Sequence, residues 1–147
     1  MKKIIVSLSF LLTTGLLNTF AADRIEPSKQ VLDEFKKEFI AAQHVSWAKQ
    51  GEYDKATFLL AGRRVIAYFN AAAQFEGCVR DIFFDQLPLT VMTAVDKRFA
   101  EAGIFDVREI TNSEGTSYHI TLEAKNKKYR IKVGATGNID EVEKLKK

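Results

Sequence analysis

His44, His119 and Cys78 are the only imidazoles and the only thiol in the chain, and they stand apart from one another. A zinc site needs three or four His, Cys or carboxylate ligands at short spacings. Neither histidine has a second His, a Cys or a close carboxylate pair beside it, so both read as lone surface histidines. A nucleophilic thiol needs a base at hand, and Cys78 has no neighbouring histidine. As a single cysteine it forms no internal disulfide. It reads as a partly buried small hydrophobe, or else as a thiol for intermolecular pairing. The nucleophile-elbow, zincin, phosphate-loop and calcium-loop patterns are absent. Gly134-Ala-Thr-Gly-Asn138 lacks the acidic ligands calcium takes and reads as a hairpin. The acidic residues are scattered, so no carboxylate dyad stands out. No catalytic residue, metal or cofactor is assigned, and the chain does not read as an enzyme.

Any function then rests on a surface, and the elements that build it can be read from spacing. Residues 28–41 place Val31, Leu32, Phe35 and Phe39 on one helical face, with Ser28 as N-cap. Residues 88–102 do the same with Val91, Met92, Val95 and Phe99; Pro88 suits the first turn and Gly103 the stop. The two stripes superpose at an offset of 60 residues. Beyond them the offset becomes 64: Ala56, Phe58 and Leu60 match Ile120, Leu122 and Ala124, and Val65, Ala67 and Phe69 match Tyr129, Ile131 and Val133. The shift falls in turns, where insertions belong. The expected fold class is α+β: two tandem repeats, residues 22–84 and 85–147, each one helix packed on a mainly four-stranded antiparallel sheet, the strands forming two sheets or one continuous sheet with both helices on one face. Together they make one compact domain.

Alternation assigns sheet faces. In the second repeat Ile120, Leu122, Tyr129, Ile131 and Val133 point inward, while Lys128, Arg130 and Lys132 point outward. In the first, Ala56, Phe58, Val65, Ala67 and Phe69 point inward and Leu59, Arg64, Ile66 and Tyr68 outward. The outer positions Leu59, Ile66 and Tyr68 are matched by Glu123, Arg130 and Lys132. The expected outer surface is an apolar-aromatic patch beside a basic one. Leu59, Arg64, Ile66, Tyr68, Lys128, Arg130 and Lys132 form the candidate partner-binding face, and Tyr68 is its anchor.

Met1-Lys2-Lys3, an apolar run from Ile4 to Leu17 and Thr19-Phe20-Ala21 have the order of a cleaved secretory signal. Residues 1–21 are therefore expected to be a signal peptide, and the mature protein periplasmic with no integral membrane segment. The whole chain has 22 basic and 19 acidic residues. Losing Lys2 and Lys3 leaves it near neutrality, which gives no support to nucleic-acid binding. Apolar content of 46% supports a folded core.

Phe35-Lys-Lys-Glu-Phe39, Val45-Ser-Trp47, Tyr53-Asp-Lys-Ala-Thr-Phe58, Val65-Ile-Ala-Tyr-Phe69 and Asp85-Gln-Leu-Pro-Leu89 resemble the PepSY-like family of exported bacterial proteins, also described as β-lactamase-inhibitor-like. The resemblance spans residues 30 to 145. It implies a periplasmic protein of helix-plus-sheet units without assigned catalytic residues. It also implies a fold like that of an inhibitor whose sheet face docks on its enzyme. The expected function is a non-catalytic periplasmic binding module using the outer sheet face. Its partner is an unidentified envelope protein with an acidic surface, and inhibition of an envelope enzyme is one form of that function. The alternative is a small-ligand carrier with a cavity between helices and sheet.

Overall fold

Ser28 ends an extended lead-in, and its Oγ accepts a hydrogen bond from the Val31 N–H at 3.3 Å, opening helix α1 (Lys29–Glu38). Lys36 and Lys37 close it, complementing the negative end of the helix. The second helix, α2 (Leu89–Arg98), starts behind Pro88 and ends on Lys97 and Arg98. A 3₁₀ turn, Phe84–Gln86, leads into it. The computed structural model describes residues 25–146. The expected signal peptide, residues 1–21, lies outside the described residues. Among those described, no helix is long and apolar enough to cross a membrane.

Eight strands follow the alternation of the sequence: β1 (Gln43–Gln50), β2 (Tyr53–Leu60), β3 (Arg63–Phe69), β4 (Phe75–Asp81), β5 (Gly103–Asn112), β6 (Gly115–Ala124), β7 (Lys127–Gly134) and β8 (Ile139–Lys144). Two-residue turns join β2 to β3 and β6 to β7. Their central residues, Ala61-Gly62 and Lys125-Asn126, all have positive φ, the geometry whose twist matches that of paired strands. The turn before β8 packs on α2: Thr90 Oγ1 donates to the Ala135 carbonyl at 3.3 Å. Gly137, at φ +90°, is required there, since a Cβ would stand 2.7 Å from the Thr90 carbonyl oxygen.

All eight strands form one antiparallel sheet in sequential order. This overturns the expectation of two tandem repeats, each with a four-stranded sheet of its own. β4 pairs with β5 from Gly77↔Asn112 to Asp81↔Arg108, so the two expected sheets are halves of a single one. The physical reason is the open edge. A separate four-stranded sheet ending at β4 would present a row of unpaired N–H and C=O groups, which the next strand satisfies. Backbone pairing of that kind leaves no mark in side-chain periodicity.

Register places both helices on the same face. Val65, Arg80, Glu109, Tyr118 and Val133 stand in one line across β3 to β7. At one end of that line Val31 and Phe35 of α1 pack on Ala56, Phe58, Val65, Ala67 and Phe69. At the other end Val91 and Val95 of α2 pack on Val107, Tyr118, Ile120, Leu122, Ile131 and Val133, joined by Ile82 and Leu87. Between the two clusters the same face carries an Arg80–Glu109 ion pair at 2.9 Å.

Candidate functional site

Among the described residues no helix or further strand lies on the opposite face of the sheet, which is ordered in rows by register. The central row runs Ser46, Thr57, Ile66, Val79, Ile110 and Ser117. On one side lie Lys55, Tyr68, Gly77 and Asn112. On the other side Leu59 pairs with Arg64, then come Asp81, Arg108, His119, Lys132 and Glu141. Further along are Thr121, Arg130 and Glu143, and then Glu123 and Lys128.

All seven expected residues therefore share this face, but the structure does not bring them together as one patch. Leu59, Arg64, Ile66 and Tyr68 lie on β2 and β3, whereas Lys128, Arg130 and Lys132 lie on β7. Four strand spacings separate β3 from β7, about 19 Å. The apolar group instead continues through Val79 and Ile110 onto β4 and β5, both partly buried. The basic group meets β8, where Arg130 pairs with Glu143 at 3.4 Å and Lys132 approaches Glu141 at 4.0 Å. Such solvent-facing pairs contribute about 0–1 kcal/mol each.

Arg64 pairs with Asp81 at 2.9 Å. Arg108, across the central pairing, stands 3.1 Å from Asp106 and 3.8 Å from Asp81 through Nε. That nitrogen is shielded from solvent and ion-paired without an aligned hydrogen bond. Tyr68 lies opposite Gly77, and burial raises its phenol above the ordinary value. Gly77, at φ +157°, is closely approached by β5: a Cβ there would meet the Thr111 carbonyl oxygen at 2.5 Å.

Sequence reasoning placed His119 on this outer face but missed Val79, Ile110, Asp81 and Arg108 as members of it. Glu76-Gly-Cys-Val-Arg-Asp81 has no clean apolar alternation. Only its pairing with β3, Ile66↔Val79, shows which way it faces.

The chemistry-bearing residues are dispersed. His44 is on β1 and His119 on β6, and among the described residues no group of three or more His, Cys, Asp or Glu could hold a metal. Cys78 faces the first apolar cluster, where burial and then Glu109 raise its thiol above the usual value. That suppresses the thiolate a nucleophile requires. The hollows on the surface include these two. One, about 40 Å³, is lined by His119, Arg130, Lys132, Glu141 and Glu143. The other, wide open and about 450 Å³, lies between α2 and the turn before β8.

His119 carries a measurable consequence. Burial first, and then the adjacent Lys132, lower its pKa, with Arg130 and Arg108 acting in the same sense and Glu141 opposing. The unfolded chain therefore binds this proton at a higher pH than the folded chain does. Stability from His119 is complete above its unfolded pKa, about 6.5, and is lost as pH falls below it. Melting temperatures between pH 7 and 5 should fall less steeply for His119→Gln than for the wild type. Parallel slopes would place the imidazole in open solvent.

No protein-family model matches the chain, and no curated protein does. Solved structures share its architecture. A BLIP-like protein from Bacteroides fragilis superposes with a TM-score of 0.73 at 23% identity, over 82% of this chain and 88% of its own. A DUF2874 family protein from Bacteroides uniformis gives 0.73 at 22%, over 81% and 90%. A protein from Bacteroides eggerthii, provisionally described as periplasmic, gives 0.73 at 20%, over 82% and 90%. The eight-stranded sheet with two helices on one face is thus a fold this chain has in common with a BLIP-like protein.

Proposed function

We propose that the chain is a non-catalytic periplasmic binding module that docks an envelope protein on the helix-free face of its sheet. One observation carries this reading. Leu59, Ile66, Tyr68, Val79 and Ile110 form an apolar strip over four adjoining strands, on a face no described element covers. One buried sheet face suffices for the fold, so a second apolar surface calls for its own occupant. An apolar centre bordered by charged side chains is the anatomy of a protein interface. The fold shared with a BLIP-like protein supports docking, although fold alone does not assign a partner. Lys128, Arg130 and Lys132 at the far side favour acidic groups on that rim and a faster encounter at low salt. Inhibition of the docked protein, if it is an enzyme, is the finer form of this proposal.

The test compares capture from envelope extract by the wild type, Ile66→Lys and Tyr68→Ala. A specific partner should bind the wild type and be lost with Ile66→Lys. Tyr68→Ala should weaken its affinity by about 2 kcal/mol or more, with melting temperatures little changed. Activity of a captured enzyme with and without the protein then measures inhibition. Equal capture by all three folded proteins would remove this face from consideration.

A further inference from the structure

The sheet has two open edges, and they are not alike. Among the described residues nothing pairs with the outer side of β1 or of β8. Natural edge strands are guarded against further pairing by charged side chains. β8 carries Asp140, Glu141, Glu143 and Lys144 within its six residues. β1 carries one lysine and no acid within its eight. That lysine does not stand guard, because Lys49 Nζ turns back across the sheet to the buried Asp54 carboxylate at 2.8 Å. The strand is also uncovered: along it only Trp47 and Ala48 are partly buried.

Local geometry decides which backbone groups this edge offers. Gly51, at φ +60°, and Glu52 form a two-residue turn closed by Gln50 opposite Tyr53. From such a closing pair, bonded and open positions alternate along the strand. Ser46, Ala48 and Gln50 therefore bond to β2, while Trp47 and Lys49 direct their N–H and C=O groups away from the sheet. A bulge between Gln43 and Ser46 bends the start of β1. Ser46–Gln50 is thus the regular stretch that a further strand can join. Side chains alternate as well. Trp47, opposite Ala56, and Lys49, opposite Asp54, lie on the helix side, where the indole packs edge-on against Phe35 at 5.2 Å. Ser46, Ala48 and Gln50 lie on the helix-free face.

We infer that a second copy of this chain takes the edge, β1 pairing antiparallel with β1 about a two-fold axis through Ala48. Register carries the choice of occupant. In that pairing Trp47 and Lys49 of the second copy exchange both backbone bonds, and the same exchange repeats across the axis. The partly buried indole meets an aliphatic lysine stem whose charge Asp54 already holds. On the other face Ala48 meets Ala48 and Ser46 meets Gln50, so no like charges are opposed. β8 is unfit for the same role: a two-fold centred on any residue from Asp140 to Glu143 sets an acid against an acid. Joining β1 to β8 would leave an open edge at each end and grow without limit. Two-fold pairing of β1 closes instead, with the guarded β8 strands outermost. Its axis is perpendicular to the sheet, so the helices of both copies share one side and both candidate docking faces the other. The dimer goes beyond the docking reading and does not depend on it.

Sedimentation of the purified protein should show a monomer–dimer equilibrium across the micromolar range, with no larger species. Amide exchange should slow at Trp47 and Lys49 as concentration rises, while Ala48 and Gln50, already bonded to β2, stay constant. Ala48→Lys and Ala48→Glu, each alone, should weaken the dimer about fivefold by setting like charges opposite at the axis. Mixed in equal amounts they should restore it, a result that loss of folding does not mimic. Melting temperatures of the dilute variants should stay near that of the wild type, because Ala48 lies outside both apolar clusters. A monomer up to millimolar concentration, or association that grows past the dimer, would overturn the proposal. So would protection of Trp47 and Lys49 that is independent of concentration, which would make the chain's own N-terminal residues the added strand. Protection arising at β8 instead, or no rescue from the mixed variants, would overturn it too.

Discussion

Phe69→Ala should lower the free energy of unfolding by about 3–5 kcal/mol, the range for truncating a large buried aromatic. Phe69 has no solvent exposure. Its ring centroid lies 6.3 Å from that of Phe35, 6.1 Å from Trp47 and 5.8 Å from Phe75. It therefore touches the helix, the edge strand and β4 at once. Removing it takes away the transferred surface of the ring and also leaves a cavity that three rigid neighbours cannot close. The measurement is a denaturant titration read by Trp47 fluorescence, with the slope compared between variant and wild type. A loss under about 1 kcal/mol would mean the first cluster can collapse around the gap, contrary to the tilted and edge-on ring packing seen there.

Gly77→Ala should cost about 3 kcal/mol, at the upper end of what overpacking does. The added methyl would meet the Thr111 carbonyl oxygen at 2.5 Å and Asn112 Cα at 3.2 Å, both backbone atoms that cannot swing away. The backbone at φ +157° adds strain for any residue with a Cβ. The wedge would open β4 from β5, the pairing that makes one sheet of two halves, and would shift Tyr68, which lies opposite Gly77. Amide exchange of β4 and β5 should accelerate before that of β2 or β6. Unchanged stability would show that β5 yields at this point, and the unity of the sheet would need another anchor.

The sequence was legible where side chains alternate between oil and water. The stripes Val31, Phe35 and Val91, Val95 read as helices, and they are buried in α1 and α2. Phe58, Val65, Phe69, Ile120 and Ile131 read as inward-facing, and they are the core. Alternation left open whether the strands form two sheets or one, because β4–β5 pairing is carried by peptide groups that every residue has. The same limit hid half of the candidate face. Val79 and Ile110 join it only through register, and the basic residues of β7 are set apart from Tyr68 by a strand order that alternation does not reveal.

The Arg80–Glu109 pair between the two apolar clusters bears on how the molecule comes apart. The sheet is continuous, but the oil on its helix side is not: each helix gathers its own cluster, and a solvated charge pair stands where they would merge. Cooperative units follow buried contacts rather than hydrogen-bond ladders. The packing of α1 on β2 and β3 and that of α2 on β6 and β7 can therefore loosen in turn, with β4 and β5 as a hinge of paired backbone between them. In such a molecule damage to one half leaves the other folded and tethered, so an opened form exposes one greasy cluster at a time. That limits the sticky surface available for misassembly.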